Sequence, residues 1–177
     1  MTVLSRNILP NDPVEAALEA MRRFDKNLRD ACSDKGEPRA DAISRRLKDF
    51  PQLILQSGLV PALTFYLSKL SEKADQDAYE LTVKVLTEQR LEGDERRKLC
   101  RKTSGEGGGY PHVLALVLVY AAERAGCSVD SIARIGSSLV GCLETVQKKG
   151  VTVEKLVQAY VNELKKLASA LYPEKKT

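Results

Sequence analysis

The sequence predicts an all-α protein, a compact bundle of six or seven helices, on three observations. Apolar residues recur at three- and four-residue steps along most of the chain. Proline, glycine and short polar residues punctuate those stretches where helix starts and stops belong. No segment alternates apolar and polar residues over several positions, as a half-buried strand would. The 177 residues read as a single helical domain, 1–177, long enough to bury a substantial core. Aromatic residues make up 5% and Trp is absent, so Leu, Val, Ile and Ala are expected to fill that core.

Each element has its own signal. Asn11 and Asp12 are cap-type residues and Pro13 suits a first helical position. Val14, Ala17, Leu18, Met21, Phe24, Leu28 and Ala31 then give one apolar stripe. Residues 33–39 read as a loop. A second helix is expected from about Ala40, with a kink or restart at Pro51, whose ring nitrogen cannot donate. Gly58 suits the left-handed position that ends it, and Pro61 can open the next helix, which carries Leu63, Phe65, Tyr66, Leu67 and Leu70. The polar run 72–77 starts a helix with Ala78, Leu81, Val85 and Leu86 as its apolar set. Residues 91–109 combine a basic run with Gly105, Gly107, Gly108 and Gly109 and are expected to form a partly mobile loop. A buried helix over 112–125 stops at Gly126. Ser128 is expected to cap a helix bearing Val129, Ile132, Ala133, Leu139, Val140, Leu143 and Val146, stopped by Gly150. Thr152 is expected to cap the last helix, whose stripe runs from Val153 to Leu171.

Several chemistries fail for want of residues. Cys32, Cys100, Cys127 and Cys142 form no CxxC pair, and His112 is the only histidine, so no structural zinc set exists. Reduced, mostly buried thiols are expected, as suits a cytoplasmic protein. The N-terminus lacks the continuous apolar run of a signal peptide. The longest apolar run, Val113 to Ala122, is half of the about 20 residues a membrane span needs. The segment SGEGGGYPH lacks the Lys and Ser/Thr of a phosphate loop, so a plain connector is the simpler reading. His112 has no nucleophile tied to it by sequence logic. The expectation is a protein with no catalytic residues, no metal and no cofactor, which works by binding macromolecules.

Net charge is +4, and its distribution carries the information. Residues 22–48 hold nine Lys/Arg against five Asp/Glu, and residues 148–176 hold seven against three, whereas the stretch between is balanced. Arg22, Lys26 and Arg29 fall at helical spacing on one face. Arg45 and Arg46 lie on the next helix, Lys148 and Lys149 form a pair, and Lys165 and Lys166 lie on the last helix. Cations spread this way can neutralise phosphates without reading bases. A solvated surface is the plain alternative reading of the same residues.

One segment goes further. In RRLKDFPQLILQSGLVPALTFYLSK, residues 45–69, basic residues are followed by Pro51 and an aliphatic turn at Leu53 to Leu55. Ser57, Gly58 and Leu59 come next, then an apolar helix closing on Phe65 and Lys69. This resembles the small-subunit family of type III-B (Cmr-type) CRISPR RNA-guided effector complexes. The C-terminal VEKLVQAYVNELKKLASALYPE is similar to that family's closing helix. The resemblance implies a helical, non-catalytic subunit that stacks in several copies beside the backbone subunit holding the guide RNA. Its implied partners are those subunits, copies of itself and target RNA, with no membrane and no small-molecule substrate. The related type III-A small subunit is a neighbouring possibility, and a helical protein–protein adaptor is the alternative of another class. Lys69 either complements the helix dipole or contacts RNA.

Overall fold

A computed structural model describes residues 7–32 and 39–174. These form α1 (Pro13–Ala31), α2 (Asp41–Ser57), α3 (Leu59–Ser68), α4 (Lys73–Leu86), α5 (Gly93–Leu99), α6 (Tyr110–Ala125), α7 (Ser137–Lys149) and α8 (Val151–Leu171). A short 3-10 turn, Val129–Ser131, stands between α6 and α7. Among the described residues the class is all-α, as expected, but the helices number eight and not six or seven. The expected loop at 33–39 and the first residues of the expected non-signal N-terminus lie almost wholly outside the described residues.

The arrangement follows from α6. Its sequence YPHVLALVLVYAAERA has no polar stripe before the last turn, so every side of it must be covered. α2, α3, α4, α7 and α8 pack around it, and Pro111 through Ala122 are all buried. α8 lies against both α1 and α2, and α1 also meets α4 and α5. Glu154 sits beside Leu59 and Gln158 beside Pro51, so α8 and α2 run in opposite directions. One apolar cluster joins Phe24, Leu28, Leu47, Phe50, Leu63 and Leu164 to the residues of α6. The core is less purely aliphatic than composition suggests. Tyr66, Tyr79, Tyr120 and Tyr160 are fully buried. Each donates its hydroxyl to a backbone carbonyl, of Arg46, Ile132, Asn11 and Leu116 respectively, at 2.6–2.8 Å. A buried phenol needs such a partner, and each bond here ties two distant segments together.

The start of α1 is as expected: the Asp12 carboxylate accepts from the Glu15 amide and Pro13 stands at the first helical position. Four expectations are corrected. α2 runs through Pro51 as one helix, without the restart, because Leu47, Phe50, Pro51 and Ile54 are all buried on either side of it. The stretch 91–109 is not loop throughout: α5 forms within it, opened by a capping box between Glu92 and Glu95 and anchored by buried Leu99. Ser128 caps the 3-10 turn, not a long helix, and α7 begins only at Ser137. At the start of α8 the capping position is Gly150, and Thr152 lies inside the first turn.

The cysteines give the fifth correction. All four are paired: Cys32 with Cys100 across Cα atoms 5.7 Å apart, and Cys127 with Cys142 across 5.9 Å. Both distances suit a disulfide. The first bridge ties the end of α1 to the end of α5, and the second ties the end of α6 to α7. The pairing partners come together only through helix packing, which spacing along the chain does not reveal.

Candidate nucleic-acid interface

Each cation singled out in the sequence has a definite place. Arg22, Lys26 and Arg29 line the face of α1 opposite buried Phe24 and Leu28. Arg22 pairs with Glu19 at 2.5 Å, and its hydrogen bond holds the Glu19 carboxyl below the usual range. Arg29 pairs with Asp25 at 2.9 Å, and Asp25 also accepts the Tyr172 hydroxyl at 2.8 Å. Lys26 is exposed and makes no ion pair among the described residues. The stripe therefore exists, but two of its three charges are already compensated.

Arg45 and Arg46 turn inward to the glycine-rich segment. Arg45 donates to the Gly105 carbonyl at 2.6 Å and lies 3.8 Å from Asp41. Arg46 donates to the carbonyl of Gly108 at 3.1 Å and also to that of Glu106. Its guanidinium stacks over Tyr110, 4.1 Å from the ring centroid. The backbone closes against α2 at Gly109, where φ is +86° and a Cβ would stand 2.6 Å from the Ala42 carbonyl oxygen. Only glycine fits there. These arginines hold a loop in place, with one donor of Arg45 and two of Arg46 bonded to its carbonyls.

Lys69 caps the end of α3 and is exposed. Its Nζ lies 5.0 Å from the centroid of Phe65 and 5.9 Å from that of Tyr110. It makes no ion pair among the described residues. Lys148 and Lys149 project from the last turn of α7, exposed and unpaired among the described residues. Lys155, exposed in the first turns of α8, follows just beyond the Gly150 turn and was not anticipated; its place on the sequence, close behind the lysine pair, was the available signal. Lys165 is half-buried and free of carboxylates among the described residues, whereas Lys166 pairs with Glu163 at 2.5 Å. The lysines of the set, Lys166 apart, thus have no carboxylate partner among the described residues, whereas Arg22, Arg29 and Arg45 each have one.

His112 is fully buried, with Nε2 3.0 Å from the Leu99 carbonyl oxygen and its ring edge-on to Phe24. Burial pushes its pKa down to about 4, against the opposing pull of that carbonyl. No group of three or more His, Cys, Asp or Glu among the described residues is placed to hold a metal ion. No helix among them is long and apolar enough to cross a membrane.

No curated protein and no solved structure matches the chain. A family model described as CRISPR-associated protein (Cas_Cmr5) matches residues 15–120. The match runs from the first turn of α1 to the middle of α6 and includes the Arg45–Lys69 segment; α7, α8 and their lysines lie beyond it. Covering more than half of the chain, it establishes that this protein belongs to the Cas_Cmr5 family of CRISPR-associated proteins.

Proposed function

We propose that the chain is a non-catalytic small subunit of a type III-B CRISPR ribonucleoprotein effector in the cytoplasm. Several copies stack beside the subunit that holds the guide RNA and support the target strand by contacts to its phosphates. One observation carries the RNA contact: Lys26, Lys69, Lys148, Lys149 and Lys165 have no carboxylate partner among the described residues. Binding of this kind is independent of base sequence and weak per copy, and repetition along a filament strengthens it.

The test is the affinity of the assembled complex for target RNA across a range of salt, with and without reductant because of the two bridges. Reversing Lys148 and Lys149 to Glu is expected to weaken binding and to flatten the log–log salt slope by about 0.7 for each phosphate no longer neutralised. Arg22→Glu is the control, since its charge already faces Glu19. A helical adaptor without RNA contact is the second reading. It is favoured by the pairing of Arg22, Arg29, Arg45 and Lys166 with carboxylates. An unchanged salt slope in the lysine variant, with the variant still in the complex, would decide for the adaptor. Co-purifying subunits distinguish a type III-B from a type III-A assembly.

A further inference from the structure

Phe65 is an aromatic side chain held in water on a rigid base. It is 44% exposed, while the next residue, Tyr66, is buried and packs edge-on to Phe50 with ring centroids 4.9 Å apart. Tyr110 stands edge-on to both, 6.5 Å from Phe65 and 5.0 Å from Tyr66. Arg46 fixes Tyr110 from above and Lys69 reaches over Phe65. Of these rings Tyr110 alone, with Lys69, lines a cleft of about 450 Å³, whose other walls include Glu72, Asp75, Lys102 and Glu106.

The chemistry of this corner selects its occupant. A phosphate is disfavoured inside the cleft, because Glu72, Asp75 and Glu106 line it and Lys102 is already shared, 3.2 Å from Glu72 and 4.0 Å from Asp75. A guanidinium from a protein partner is disfavoured on the rings, because Arg46 and Lys69 already hold the cation positions there. What remains is a flat, neutral ring that stacks on the exposed part of Phe65 and trails an anion toward Lys69. The geometry points to a nucleobase-stacking site on this corner, formed by Phe65 and Tyr110 with Lys69 at its rim, for one base of a single-stranded nucleic acid. Aromatic platforms hold bases in this way without reading their identity. Arg46 is the positioning residue of the site: it touches Tyr110 and the loop, not the base. The inference rests on the RNA-binding reading above and deepens it, since phosphate contacts alone require no aromatic side chain in water.

The chain contains no Trp, so Phe65→Trp introduces a single indole at the platform. Its emission is read while the full-length protein is titrated with oligoadenylate, with an abasic phosphodiester oligomer of equal length, and with an arginine-rich peptide. Quenching by oligoadenylate and not by the other two is the expected result. In parallel, Phe65→Ala is expected to weaken oligoadenylate binding about tenfold and to leave the abasic oligomer unaffected. If wild-type protein binds both oligomers and Phe65→Ala weakens both alike or neither, the stacking site is overturned and the phosphate reading survives. If the peptide alone quenches the indole, the corner belongs to a protein side chain and the inference is overturned. If neither oligomer binds wild-type protein, the stacking site is overturned, while the phosphate reading is decided on the assembled complex as above.

Discussion

Lowering the pH from about 7 to about 5 should cost this protein stability through a single side chain, His112. The ring is fully buried and its pKa is lowered from 6.5 to about 4 by that burial. The folded state therefore keeps the imidazole neutral where the unfolded chain would protonate it. The neutral form's advantage is present above pH 6.5 and is lost as pH falls toward 4. With those two values, linkage gives a loss of about 2 kcal/mol between about pH 7 and pH 5, against a typical total of ~5–15 kcal/mol. Nδ1 has no partner to offset the cost of a second proton, since Nε2 already faces the Leu99 carbonyl. The assay is denaturant unfolding at both pH values for the wild type and for His112→Leu, with the disulfides intact. Other groups contribute in both proteins and cancel in the comparison; Glu80, raised by burial, acts in the opposite sense. The wild type should lose about 2 kcal/mol more than the variant over this interval. Equal losses would show that His112 is hydrated or charged in the folded state, and the account of its burial would be wrong.

Arg46→Ala removes two donors to loop carbonyls and a stack on Tyr110, so a destabilisation of about 2 kcal/mol is expected. Amide exchange should rise in the 101–109 segment and remain unchanged in α8, since the bonds removed hold only that segment. Gly109→Ala should cost more stability, about 3 kcal/mol by denaturant unfolding, because it adds a left-handed backbone penalty to a clash with Ala42. Serine variants of each cysteine pair separate the two bridges by denaturant midpoint. On chain entropy, losing the bridge of sequence separation 68 should cost about 4 kcal/mol and losing that of separation 15 about 3 kcal/mol. Leu164→Ala, in the fully buried stripe of α8, should cost about 2–5 kcal/mol in the same assay.

Long helices with one apolar face were legible because their period is a direct consequence of burial. α1 and α8 lie close to where their stripes place them, and α6 is buried because it carries no polar stripe before its last turn. The misses have local causes. α5 is short and carries one buried side chain, Leu99, so it has no stripe; its signal was the Glu92–Glu95 box, which lacks the usual Ser or Thr. Ile132 and Leu139 fall on a helical repeat although a bend separates them, since both sides of that bend bury apolar residues in the same core. The missing donor of Pro51 predicts a restart that does not occur, because buried residues on both sides keep one helix. The disulfides and the aromatic corner join residues far apart in sequence, Cys32 with Cys100 and Phe65 with Tyr110, and depend on tertiary structure alone.

The candidate interface carries a lesson about counting charge along a helix. The compensated cations stand three or four residues from an acid: Arg22 from Glu19, Arg29 from Asp25, Arg45 from Asp41, Lys166 from Glu163. Neighbours at that spacing meet on one face, and the helix supplies the geometry at no further entropic cost to the backbone. For Lys149 and Lys165 no acid stands three or four residues away. Spacing is not sufficient: Glu144 lies four residues before Lys148, and the two do not pair. A basic stripe counted net of such partners moves the electrostatic weight from α1 and α2 to the α7–α8 corner and to Lys69. It also separates two uses of arginine in one chain. Arg45 and Arg46, both within the stretch that the family model matches, direct donors to backbone carbonyls, and Arg46 also sets where Tyr110 stands. Their contribution to any RNA contact is then indirect, through the loop they both hold and the ring that Arg46 positions, while the lysines carry the charge that a phosphate would meet.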